Sequence, residues 1–257
     1  MDLHTVTEHV GLDEAGAWRP GDVWLAGGTW LFSEPQPGAA RLVDLSAAGW
    51  TPLTDTADGG LEIAATCTVA ALARRQHPVV DGCVRAFLAS FKVHGVATVG
   101  GNVCAALPAG PMIALAAALD AECLLVGPRG ERRMPVTALV TGPGTTALRT
   151  GEYLRSLTLP RPALARRAAV RQASLYPHGR SAALLVGTRG AAGDLALTIT
   201  GSTPRPVVLP FPETPTAAAL AAAIGARVPW FDDVHGDPDW RRHMTVRLAE
   251  ELRGELA

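Results

Sequence analysis

Short apolar runs alternate with glycine- and proline-rich breaks along the whole chain, and their periods predict a mixture of strands and helices. The run Val23-Trp24-Leu25-Ala26 stops at Gly27-Gly28-Thr29. It predicts a buried strand entering a tight turn, with Thr29 capping a short helix. Residues 41–45 (RLVDL) and 61–66 (LEIAAT) predict two more strands. Thr68 is placed to cap a helix over 69–75, and a second helix is expected over 79–91, with Val80, Val84, Phe87, Leu88 and Phe91 at three- and four-residue spacing. Residues 96–99 read as extended and run into Gly100-Gly101-Asn102. A helix over 112–119, a strand over 122–126 and a return through Val136 follow, around the turn Gly127-Pro128-Arg129-Gly130. Another glycine turn is expected at Gly142-Pro143-Gly144. The alternating segment 153–159 ends at Pro160-Arg161-Pro162, the best linker in the sequence. Beyond it, residues 168–173, 182–187 and 195–200 predict three antiparallel strands, and 216–224 and 238–256 predict helices. Asp237 and Pro238 suit the N-cap and first-turn positions of the last helix.

Composition narrows the class. Of 257 residues, 48% are apolar and 18% charged, which is globular, and 27 Gly with 20 Pro account for the many breaks. A net charge of −1 offers no cationic field, so neither nucleic acid nor an anionic membrane is expected as the main partner. Lys92 follows Ser90-Phe91 rather than a glycine loop and is the only lysine, which excludes a P-loop. The apolar stretches 112–119 and 217–224 are too short to span a bilayer, and the first residues carry no export signal, so a cytoplasmic protein without membrane insertion is expected. Cys67, Cys83, Cys104 and Cys123 lie at no metal-ligand spacing and read as buried, reduced thiols; no metal site is expected.

The candidate chemistry lies in the two diglycine segments, Ala26-Gly27-Gly28-Thr29 and Thr98-Val99-Gly100-Gly101-Asn102. Glycine lets backbone N–H groups approach an anion closely, and Thr29, Thr98 and Asn102 add side-chain donors. Such a pair suits a diphosphate clasped from two sides. Neither segment has the G-x-G-x-x-G spacing of a Rossmann dinucleotide site. Ser174, His178 and Asp194 lack a nucleophile elbow, so no catalytic residue is assigned. His94 is expected at a helix end, Tyr176 and His178 either over a bound ring or in an exposed turn, and Arg241 and Arg242 on an exposed helix face.

LAGGTWL at 25–31, RLVDLS at 41–46 and GVATVGGNVC at 95–104, followed by TGPGTTAL and GEYLRSLTLP, resemble the FAD-binding (medium) subunit of molybdenum hydroxylases. That family includes the flavoprotein subunits of xanthine dehydrogenase, aldehyde oxidoreductase and aerobic carbon monoxide dehydrogenase. The C-terminal DVHGDPDWRRHM at 233–244 also resembles its flavoprotein C-terminal domain. The resemblance implies an α+β fold: a two-part FAD-binding module of the PCMH type over 1–160, with subdomains of about 1–55 and 56–160, then a small antiparallel sheet with helices over 165–257. It implies that Leu25, Ala26, Gly27, Gly28, Thr29 and Trp30 wrap the FAD diphosphate. Thr98, Gly100, Gly101 and Asn102 would form the opposing wall, Leu154 would pack beside the flavin, and Arg171 would stand where relatives carry a flavin-contacting lysine.

Electrons would pass from [2Fe–2S] clusters in a small partner subunit, fed by a large molybdopterin subunit, through FAD to an external acceptor, NAD or a quinone. A heterotrimer, single or doubled, follows. One departure stands out: where relatives read S-P-x-x-D-L, this chain has Leu107-Pro108-Ala109-Gly110-Pro111-Met112, so Pro111 replaces the cofactor-contacting aspartate. That replacement keeps open a non-catalytic assembly subunit with lost or weak flavin binding. A stand-alone FAD-dependent reductase or oxidase is the other alternative.

Overall fold

The structure, a computed structural model, describes residues 3–257. Among the described residues three main sheets follow one another along the chain, with a two-stranded ribbon of Val140–Gly142 and Thr145–Thr146 besides. The first is parallel, with Arg41–Asp44 between Glu8–Gly11 and Asp22–Leu25. Register sets Asp22 beside Arg41, and the two form a buried bidentate pair (Nε to Oδ1 2.7 Å, Nη2 to Oδ2 2.5 Å). The Arg19 amide adds a third hydrogen bond to the same carboxylate, at 2.7 Å. The hydrogen-bonded Arg41 guanidinium holds the Asp22 carboxyl below its ordinary range. This pair fixes the strand whose C-terminal end carries the first diglycine segment.

The second sheet is antiparallel, in the order Leu53–Asp55, Leu61–Ala64, Tyr153–Leu159, Glu122–Gly127, Gly130–Pro135. Helices Pro78–Ala86 and Pro111–Ala118 pack against one another beside it. Every residue of Pro111–Ala118 is buried, as expected for a helix apolar all round. The third sheet is a four-stranded antiparallel meander of Arg167–Ala173, Ala183–Arg189, Leu195–Thr200 and Val207–Phe211. Ala183–Arg189 alternates between two cores: Leu184 and Val186 join the cluster of the preceding helices, while Ala183 and Leu185 face Leu248 and Leu252 of the final helix, Pro238–Leu256. The sheet is therefore covered on both faces.

Several expectations need correction. Gly100 and Gly101 lie inside a helix, Val99–Cys104, not in a turn; Thr98 caps it by accepting from the Gly101 amide at 3.0 Å. Thr29 caps no helix, because residues 29–33 form turns closed by Phe32 N to Gly28 O at 2.8 Å. The helix expected over 79–91 breaks into Pro78–Ala86 and Phe91–His94, leaving Phe91 82% exposed. The helix after Thr68 is a single turn, Val69–Leu72, and Val207–Phe211 is a strand that the Pro-rich stretch around it hid. Arg241 is buried and holds Gly201 O at 2.6 Å together with the Asp233 carboxylate. Tyr153–Leu159 and Pro238–Leu256 form with the expected bounds, and Asp237 caps the latter through the Trp240 amide at 2.9 Å.

Candidate cofactor site

A cleft of about 730 Å³ opens where the three sheets meet, within the roughly 300–1,000 Å³ usual for ligand and cofactor pockets. It is lined by Ala26, Gly27, Gly28, Thr29 and Trp30 of the first segment and by Thr98, Gly100, Gly101 and Asn102 of the second. Leu154 reaches it from the central sheet, and Arg180 and Ser181 from the C-terminal half. Ten of the twelve candidate residues thus converge. Leu25 is buried beneath the loop rather than lining the cleft, and Arg171 lies outside it, paired with Glu251 and Glu255 of the last helix.

The two segments touch. A Cβ on Gly27 would strike the carbonyl of Val96, with its carbon 2.8 Å away, and would lie 3.1 Å from Ala97 Cα. Glycine is required here for the loops to approach each other. Gly28 has φ +69°, a region side chains avoid, and a Cβ would stand 2.5 Å from the Phe32 ring. Gly100 packs on Ala65, whereas a Cβ on Gly101 would meet only the Thr98 hydroxyl, at 2.8 Å.

Donor availability separates the two walls. Among the described residues, the amides of Gly27, Gly28, Thr29, Trp30 and Leu31 have no internal acceptor. Consecutive unpaired amides around a left-handed glycine form a concave nest for an anion. In the second segment the four helical amides are occupied: Val99 on Cys67 O, Gly100 on Ala65 O, Gly101 on the Thr98 hydroxyl, Asn102 on Thr98 O; only the amide of Thr98 has no internal acceptor among the described residues. Beyond that one amide, this wall offers side chains. Asn102 Oδ1 accepts from Met112 N at 3.0 Å, capping Pro111–Ala118 and leaving its NH₂ as a donor at the cleft. Pro111 stands in the first turn of that helix, where a missing N–H costs nothing.

The floor is aromatic and apolar. Trp24 lies 4.5 Å from Trp18 and 4.9 Å from Tyr153, which stacks on Trp50 at 5.9 Å. The indole nitrogen of Trp24 is buried without a partner among the described residues. Among the described residues, no carboxylate lines the cleft. Its thiol, Cys104, is pushed up to about 12 by burial, so it stays protonated at neutral pH, and burial also raises the Tyr153 phenol. The lining thus offers binding and orientation. His94 is held at its helix end by Phe87 O at 2.9 Å; Tyr176 and His178 are exposed and outside the cleft, and Asp194 pairs with Arg166.

Residues 4–162 match a family described as the FAD binding domain in molybdopterin dehydrogenase. The chain belongs to that family. This FAD-binding chain is similar in structure to a chain of reconstituted CO dehydrogenase from Oligotropha carboxidovorans, with a TM-score of 0.83 at 20% identity over 98% of each chain. CO dehydrogenase from Hydrogenophaga pseudoflava lacking the Mo-pyranopterin moiety gives 0.83 at 20% identity, covering 98% of this chain and 96% of that one. Quinoline 2-oxidoreductase from Pseudomonas putida 86 gives 0.77 at 18%, again over 98% and 96%. No curated protein matches the sequence. The α+β architecture expected from the sequence is therefore that of this family, and FAD is the cofactor of this chain.

The cleft fits that cofactor. Its volume, its unpaired amides, its lack of carboxylates and its aromatic floor suit an anionic linkage joined to a flat ring. Sequence reasoning missed Arg180, Tyr153 and Trp24, because nothing in their local spacing marks them; the fold alone brings them to the cleft.

Proposed function

We propose that this chain is the electron-transfer subunit of a molybdopterin-dependent hydroxylase or dehydrogenase. The observation that carries the reading is the nest of unpaired amides at Gly27 to Leu31, opening on a cleft without carboxylates that the second diglycine segment closes. Bound there, FAD would take electrons from [2Fe–2S] clusters of a small partner and hand them to NAD or a quinone, while molybdopterin chemistry belongs to a large partner.

The chain's own part is to hold and shield. The loop amides and Thr29 would take the diphosphate, Asn102 Nδ2 would add a donor from the opposite wall, and Leu154 would cover apolar ring surface. Pro111 leaves this wall intact, because it sits where a helix accepts proline and Asn102 supplies the cap. That supports a flavin-bearing subunit over an empty scaffold. We place the division of the chain near residue 160, where Pro160 caps the short helix Arg161–Leu164.

Purification with associated chains, followed by metal analysis, tests the assignment. Molybdenum and iron stoichiometric with bound FAD are expected. A metal-free chain that turns over a nicotinamide and a small acceptor unaided would replace this reading with the stand-alone one.

A further inference from the structure

Arg180 is the one ionised side chain lining the cleft among the described residues. It forms no ion pair or hydrogen bond with any described residue, whereas Arg171, the cation expected here, is committed to Glu251 and Glu255. Its place in the fold is nevertheless fixed. The next residue, Ser181, is 2% exposed and accepts a hydrogen bond from Gln172 Nε2 at 2.9 Å. The Ala182 amide closes the loop on Ala173 O at 2.9 Å. Gly201 packs under the Ser181 carbonyl and donates to Pro108 O at 2.8 Å, which ties Arg180 to the wall formed by residues 107–111. A guanidinium held over a cleft without carboxylates and left unpaired is a site for negative charge.

Two parts of bound FAD carry or acquire such charge, the diphosphate and the reduced ring. The diphosphate has its donors in the nest of Gly27 to Leu31, on the N-terminal sheet. Arg180 enters from the C-terminal half, on the side of Pro108 and Pro111. We propose that Arg180 is a positioning residue for the ring end of FAD, where its fixed positive charge favours the reduced ring over the oxidised one. The proposal rests on the flavin reading above. Charge beside the ring nitrogens is one of the levers by which a protein tunes a flavin. Partial exposure to water limits the effect to about tenfold in relative affinity, which for a two-electron couple is about 30 mV.

The test uses the full chain loaded with FAD. Midpoint potentials, and dissociation constants for oxidised FAD, reduced FAD and ADP, are measured for the parent, Arg180→Gln and Arg180→Lys. Because Arg180 has no partner among the described residues, both variants are expected to keep the parental melting temperature. The expected result is a potential about 30 mV more negative in Arg180→Gln, with oxidised FAD and ADP bound within about threefold of the parent and the shift largely restored by Lys. An unchanged potential overturns the proposal. So does an equal loss of affinity for oxidised FAD, reduced FAD and ADP, which would make Arg180 a diphosphate ligand. A parent chain that takes up no FAD at all overturns the flavin reading itself, and this inference with it.

Discussion

Gly27 and Gly101 look equivalent in the sequence, yet their neighbours demand different things. Gly27 faces the backbone of Val96, which cannot yield without parting the two loops, while Gly101 faces only the hydroxyl of Thr98. Gly27→Ala is therefore expected to destabilise the fold by about 1–3 kcal/mol and to lose FAD together with stability, as read by urea unfolding and retained flavin absorbance. Gly101→Leu is expected to lose FAD with a smaller stability change, near the ~1 kcal/mol of a weakened cap. Equal unfolding midpoints for Gly27→Ala and the parent would show that the loops do not press on each other. The bland alternative for a diglycine, a tight corner, applies to Gly28 with its φ of +69°; the need for close approach at Gly27 depends on a partner 69 residues away and has no local signal.

At the level of elements, the helix Pro111–Ala118 and the strand Tyr153–Leu159 present the cleft wall and floor, and each is pinned through one polar side chain, Asn102 and Glu152 respectively. Asn102 caps the helix through Met112 N. Asn102→Ala is expected to cost about 1 kcal/mol. Asn102→Asp keeps the acceptor but sets a negative charge in a cleft built for an anion, so the melting temperature should hold while FAD binds at least about tenfold more weakly. Isothermal titration of both variants checks this, and undiminished affinity in Asn102→Asp would remove the residue from the site.

Immediately before the strand stands Glu152, which is 7% exposed and receives both Nε and Nη2 of Arg132, at 2.9 and 2.7 Å, and the Arg149 amide at 2.8 Å. These hydrogen bonds, the Arg132 guanidinium first, hold its carboxyl at about 2, against an ordinary 4.5. A lowered carboxyl stabilises the fold fully above the unfolded value and loses that contribution as pH falls from about 4.5 toward 2. Glu152→Gln should consequently be less stable than the parent at pH 7, by on the order of 3 kcal/mol. The gap should close as acid unfolding is repeated below pH 4.5; a gap independent of pH would mean the pair contributes through shape alone.

For the whole molecule, periodicity made strands and long helices legible: Tyr153–Leu159, the hairpin of Glu122–Gly127 with Gly130–Pro135, and Pro238–Leu256 follow from their own residues. What misled was local likeness. Val96 to Gly101 reads as strand and turn because glycine is a poor helix former, yet Thr98 caps a helix there that Ala65 and Cys67 hold in place through backbone bonds. Arg241 looks like half of an exposed basic pair, but tertiary structure buries it against Gly201 and Asp233. The convergence of the two diglycine segments on one cleft was legible from their common pattern; the asymmetry between a wall of free amides and a wall of occupied ones required the structure.

That asymmetry is the central claim, and a crystal structure of the chain loaded with FAD measures it directly. The expected map places the diphosphate oxygens within hydrogen-bond distance of the amides of Gly27 to Leu31, with only Thr98 and the Asn102 side chain reaching across. A diphosphate seated on the backbone of Gly100 and Gly101, or outside the cleft, would contradict it.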